Sequence, residues 1–275
     1  MSFSRSLFVM YVIFGVSTSG SFAFADCASD GERAINEGKW VEAENILKPC
    51  AEAQNPEAQS LLGGLYALPQ SGLEDPDLAL RWTEAAATQG SWLALSNLAY
   101  YYEKGLLGLQ ADTDRSIALH EAAIKAGSEA SKYRLAQLFV FGIGVSADEK
   151  AAIALLETRQ GEKVGDAHFQ VGGMFKNGYD GSGEGSSIDR ARLYYEQSAR
   201  LGHRGAQFFL SELLLDMEEK EMRDEAYLWM AVAALNQHPQ ALELWHKIEA
   251  GADPKIFSEL KNAAATCISS QYKNC

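Results

Sequence analysis

One distance in this 275-residue chain never changes. Ala43, Ala79, Ser116, Ala152, Ala191 and Ala226 form one set of small residues, and Ala58, Ala94, Ser131, Ala167, Ala206 and Ala241 form another. From each member of the first set to the next member of the second is 15 residues, in all six cases. From the second set back to the first the separation drifts through 21, 22, 21, 24 and 20. The chain therefore alternates a rigid connection with a slack one, at an overall period of 35 to 39 residues. Self-similarity on that scale is the mark of repeat architectures. A fixed connection is expected to be packed, and a variable one to be a solvent loop, where added length costs little.

Both sets lie on helices. After each opening small residue of the second set, an apolar residue follows at four positions (Leu62, Leu98, Leu135, Val171, Leu210, Trp245). A small one follows at five in most copies (Gly63, Ala99, Ala136, Gly172, Ser211), and an aromatic at eight in the first four (Tyr66, Tyr102, Phe139, Phe175). Offsets of zero, four, five and eight trace one stripe of a helix. The first set carries a large apolar residue three positions on (Ile46, Trp82, Leu119, Leu155, Tyr194, Trp229), and several copies close on Gly90, Gly127 or Gly202, suited to a C-cap. Pairs of this kind bury their stripes only by stacking on neighbours. The expected fold is all-α, a right-handed α-solenoid of about seven antiparallel helix pairs. Its expected divisions are a helix-pair cap over 26–55, repeats over 56–92, 93–129, 130–165, 166–204 and 205–237, and a second cap over 238–275. In that last cap Asp253 precedes Pro254 at a helix start.

Residues 1–25 are read apart from the fold. Arg5, the apolar run Leu7 to Val16, and Ala23-Phe24-Ala25 have the layout of a secretory signal peptide cleaved near Ala25. Ten apolar residues are too few to span a bilayer, and Asp26 ahead of Cys27 argues against a lipoprotein. The expected location is the periplasm or the extracellular medium, with no stable membrane insertion after cleavage. Disulfides persist there. Cys27, Cys50, Cys267 and Cys275 allow three pairings. The local ones, Cys27 with Cys50 and Cys267 with Cys275, are expected, and unpaired buried thiols are the alternative. Loss of Arg5 with the leader takes the net charge from −13 to −14, which disfavours nucleic acid and anionic lipid as partners.

The pattern A-x-x-x-L-G-x-x-Y, a loop of the form G-x-G-V, then A-x-x-W and A-A-x-x-G resembles the Sel-one-like repeat family, relatives of the tetratricopeptide repeats. Here it reads "AQSLLGGLY" with "ALRWTEAAATQG", and Gly142, Gly144 and Val145 supply the loop. The resemblance covers roughly residues 30 to 250. Repeat three departs from it at Arg159, Gln160 and Lys163, and repeat five lacks the loop glycines and the tyrosine. The family resemblance implies an adaptor or regulator that holds a protein or peptide, including periplasmic members that bind sensor or envelope proteins. Its cysteine-rich branch implies an alternative, binding or hydrolysis of β-lactams or peptidoglycan. Only the N-terminal unit, with Cys27 and Cys50, looks like that branch.

Catalytic chemistry finds little purchase. Ser258 with Lys261 and Ser270 with Lys273 match S-x-x-K, but no S-D-N or K-T-G element accompanies them. His120, His168, His203, His238 and His246 stand singly, outside any zinc spacing, and are read as exposed or capping residues. The expectation is a protein without catalytic residues, metal or cofactor. The glycine-rich stretch 177–191 begins like a calcium loop at Asp180, Ser182, Glu184 and Gly185, but Ala191 stands where the bidentate glutamate belongs, so it is read as slack.

Binding is expected on the face lined by the first helices. By the resemblance, residues two positions after each opening small residue point there: Ser60, Ser96, Tyr133, Phe169 and Phe208, joined six positions on by Tyr100 and Gln137. Tyr133, Phe169 and Phe208 would make an aromatic strip able to anchor a peptide. The competing arrangement, favoured by how often aromatic side chains belong to cores, buries them between repeats.

Overall fold

Five of the six first helices start on a residue whose side chain accepts the amide hydrogen of the opening small residue, and the sixth, which opens at Ala167, starts after Gly165. Asn55, Ser91, Ser128, His203 and His238 cap in this way the amides of Ala58, Ala94, Ser131, Ala206 and Ala241. Second helices begin on Asp75, Asp112, Asp148 and Ser187, which accept from Leu78, Arg115, Ala151 and Arg190. Asparagine, serine and aspartate are the usual residue types that satisfy the orphan amides of a helix start, and His203 and His238 do the same through Nδ1. The computed structural model describes residues 20–157, 165–179, 185–217, 220–273 and 275. The expected leader up to residue 19, the departures at Arg159, Gln160 and Lys163, and the loop readings at Asp180, Ser182 and Glu184 lie outside them.

Fourteen α-helices follow one another among the described residues. The first five are α1 (Gly20–Asn36), α2 (Trp40–Glu52), α3 (Pro56–Tyr66), α4 (Pro76–Thr88) and α5 (Trp92–Lys104). Then come α6 (Thr113–Lys125), α7 (Glu129–Phe141), α8 (Glu149–Leu156), α9 (Asp166–Asn177) and α10 (Ile188–Arg200). Last are α11 (Arg204–Leu215), α12 (Lys220–Leu235), α13 (Pro239–Gly251) and α14 (Pro254–Ser269). Contacts divide the chain into two units, Met1–Ala111 and Asp112–Cys275. In the first, α3 packs on α2 and α4 around Leu47, Leu62, Leu65 and Trp82. In the second, α9 to α12 close around Val171, Met174, Leu210, Trp229 and Met230.

The constant 15-residue link is a backbone motif. The cap residue's own amide returns to a carbonyl five residues back: Asn55 to Cys50, Ser91 to Ala86, Ser128 to Ala123, His203 to Ser198 and His238 to Ala233. The residue between helix and cap is left-handed each time, at Gln54, Gly90, Gly127, Gly202 and Gln237. This is a Schellman closure running straight into the next cap. Two of the five left-handed residues are glutamine, so the motif and not glycine alone fixes the length. Buried glutamines brace it: Gln59 donates to the carbonyl of Ala51 and accepts from Gln89, and Gln207 donates to Ala199 and accepts from Asn236.

The slack link is pinned at both ends. The amides of Asp75, Asp148 and Ser187 donate to the carbonyls of Tyr66, Phe139 and Phe175, three of the four offset-eight aromatics of the sequence pattern. In these three links the bond ties the start of the second helix to the end of the first, over sequence separations of 9, 9 and 12 residues. The small residue at offset five allows the helices of a pair to meet. A β-carbon on Gly63 would fall on Thr83 Oγ1 and lie 3.0 Å from the Thr83 amide nitrogen, and one on Gly172 would lie 2.6 Å from Tyr195. Disulfides join Cys27 to Cys50 and Cys267 to Cys275. No helix among the described residues is long and apolar enough to cross a membrane.

Candidate interaction surface

Helix α5 buries Ala94, Leu98, Ala99, Tyr101 and Tyr102, which turns Trp92, Ser96 and Tyr100 outward. They stand at i, i+4 and i+8, one above the other along a single face. Trp92 is 47% exposed and Tyr100 43%, and Ser96 between them is half-buried. Trp92 was not among the residues the sequence pattern pointed to, although one helical turn back from Ser96 reaches it. Next to this face is a cleft of about 470 Å³ formed by α1, α3 and α5 with the turn before α5. Its walls include Ala28, Glu32, Glu57, Leu61, Trp92 and Leu93.

Three expected surface residues are structural instead. Ser60 is buried; its hydroxyl donates to the carbonyl of Pro56 at 2.7 Å and shares a hydrogen with Ser91 Oγ at 2.8 Å. Phe208 is buried, with its ring stacked on His238 at 4.6 Å. Gln137 is buried and accepts from Arg134 at 3.1 Å, beside the Arg134–Tyr179 contact. Phe169 is half-buried, stacked on His203 at 4.5 Å with Tyr195 and Phe209 around it. One geometric reason covers Ser60, Phe169 and Phe208. The residue two places into a first helix meets the cap of the following first helix: Ser91, His203 and His238 respectively. The expected aromatic strip is thereby mostly a joint between consecutive first helices.

Tyr133 is the exception within the second unit. The cap that would face it is Gly165, which offers no side chain, and Tyr133 is 38% exposed. Burial raises its hydroxyl above the ordinary tyrosine range. Tyr195 is pushed up to about 12, by burial first and then by Tyr133.

The histidines act mainly in backbone capping and packing. His203 Nδ1 accepts the Ala206 amide at 2.9 Å while Nε2 lies 3.1 Å from Asp166, and His238 Nδ1 accepts the Ala241 amide at 3.4 Å. Both rings are neutral at Nδ1 by virtue of accepting there. His120 is buried with Nδ1 3.1 Å from Ser131 Oγ. Ser258 and Lys261 lie exposed on α14. Among the described residues no three of histidine, cysteine, aspartate and glutamate gather to hold a metal ion.

Comparison with known proteins places this geometry. The Sel1 repeat family model matches residues 56–91, 92–128, 130–158 and 165–203. The chain belongs to the Sel1 repeat family. Its fold is similar to a Sel1 repeat protein from Oxalobacter formigenes, with a TM-score of 0.51 at 24% identity over 87% of this chain and 99% of that one. A protective antigen of uropathogenic Escherichia coli with an SLR fold gives a TM-score of 0.47 at 24% identity, covering 82% of this chain and 49% of that chain. Among curated proteins, an exopolysaccharide production negative regulator of Rhizobium meliloti (strain 1021) is 24% identical over 147 residues. That match covers 49% of this chain and 55% of the regulator, so the chain spans about half of its relative's length. The Sel1 repeat chain is thus an all-α solenoid. Sel1 repeat proteins are in general protein-interaction scaffolds and typically non-catalytic.

Proposed function

We propose that this Sel1 repeat protein is a non-catalytic scaffold, exported to the periplasm or beyond, that holds a protein or peptide partner on the face of its first helices. The observation that carries the reading is the outward row of Trp92, Ser96 and Tyr100 on α5 beside an apolar cleft. Large amphipathic side chains left in solvent next to a cavity are the usual anchors of an interface. Tyr133 supplies a like anchor in the second unit. Two disulfides fit an oxidising compartment. The resemblance to an exopolysaccharide production negative regulator supports a regulatory role for the scaffold.

A photo-crosslinking residue at Tyr100 tests the reading in cells. A discrete cross-linked partner, lost on Trp92→Ala with helicity unchanged, is expected. Only monomer at Tyr100 and at Tyr133 would overturn it.

A further inference from the structure

The cleft of the first unit carries more chemistry than its shape alone. Part of its lining is apolar or carbon-rich, Ala28, Pro56, Leu61, Trp92 and Leu93, beside the uncharged polar residues Ser29, Gln89 and Ser91. Glu32 of α1 and Glu57 of α3 stand on its walls, both exposed, and no lysine or arginine lines it among the described residues. At about 470 Å³ it has the capacity of an ordinary ligand site, room for one or two side chains. The wall contributed by α1 is held in place. Cys27, one residue before Ala28, is tied to Cys50 of α2, and Gly31 packs so closely that a β-carbon there would fall on Leu47. A cleft whose walls are fixed before binding spends little of its interaction on ordering them.

We infer that this cleft takes a peptide segment which sets an aliphatic side chain beside a lysine or arginine. The aliphatic group fills the space against Trp92, Leu61 and Leu93, and the cation lies between Glu32 and Glu57. Charge complementarity selects this occupant: an anionic segment would meet two carboxylates in a chain of net charge −13, with no cation in the walls to answer it. An uncharged apolar segment would gain nothing from the two carboxylates. The inference rests on the scaffold reading above and names the class of segment that its first unit accepts.

The test uses the full mature chain, oxidised, with three synthetic decapeptides. One alternates leucine with lysine, one replaces lysine by glutamate, and one replaces leucine by serine. Binding is read from Trp92 fluorescence, with Trp92→Phe identifying the part of the signal that belongs to the cleft. Saturable binding of the leucine–lysine peptide alone is expected. The double change Glu32→Gln and Glu57→Gln should weaken it by about three- to tenfold, the scale of two exposed ion pairs. Both carboxylates are exposed, so the fold survives their replacement. Equal binding of the glutamate peptide, or no effect of the double change, overturns the inference while leaving a peptide-binding face. A silent Trp92 with all three peptides also overturns it, and a cross-linked partner at Tyr100 would then keep the scaffold reading alive on its own.

Discussion

Neighbouring glycines in α3 have opposite jobs. Gly63 is where α4 comes closest, and a β-carbon would meet the Thr83 side chain and backbone, whereas one on Gly64 would find nothing nearer than Asn97 Nδ2 at 3.9 Å. Gly63→Ala should therefore cost about 1–3 kcal/mol through overpacking. Gly64→Ala should stabilise by about 0.5–1 kcal/mol through helix propensity; urea melts of both variants check the pair. Gly63 was legible in the sequence, because the small residue recurs at offset five. For Phe208 burial was the favoured expectation, but its partner was not legible, because the imidazole of His238 lies 30 residues on at a cap position that other repeats fill with asparagine or serine. His238 also gives the protein a pH response. Burial, and then Arg204, lower its pKa from the ordinary value of 6.5, so the folded ring binds protons less readily than the unfolded one. The stability it contributes is complete above about pH 6.5 and is lost as pH falls through the lowered value. Melting temperature should drop between pH 7.5 and pH 5, and by less in His238→Asn, since asparagine caps without titrating.

At the scale of elements, the two kinds of link predict opposite tolerance. Three residues inserted after Gly72, in the loop pinned by the Asp75 amide on the Tyr66 carbonyl, should cost less than about 1 kcal/mol. A single residue inserted between Gly90 and Ser91 breaks the return bond to Ala86 and displaces the cap of α5. It should cost about 2 kcal/mol or more. Denaturant midpoints of the two insertions give the comparison. The sequence announced this difference in its separations, 15 against 20 to 24, and the backbone bonds supply the cause. Face assignment was harder to read. The offset-two residues Ser60, Phe169 and Phe208 are taken up by the next cap while Ser96 and Tyr133 are not, and the outward Trp92 appears one turn before Ser96.

For the whole molecule, nearest-neighbour stacking makes stability local. The Cys27–Cys50 bridge closes a sequence separation of 23 residues around the first pair. A loop of that size stabilises by about 2–4 kcal/mol. Removing this bridge alone, by Cys27→Ser with Cys50→Ser, should thus raise amide exchange in α1 and α2 by about tenfold or more while α10 to α12, in the other unit with Cys267–Cys275 intact, keep theirs. Hydrogen exchange with mass spectrometry on the variant and the parent chain resolves this.

The closing turn has a consequence for how such a chain can change over generations. Gly90 with Ser91 and Gly127 with Ser128 present the same left-handed residue, the same hydroxyl cap and the same returning amide. The segment 91–127 is consequently a cassette with matching ends. A duplication inserted after Gly127 would join Gly127 to a second Ser91, a junction the chain already makes at Gly90. Whole repeats can be gained or lost by recombination without a scar at the joint, and only the loops keep a record of smaller edits.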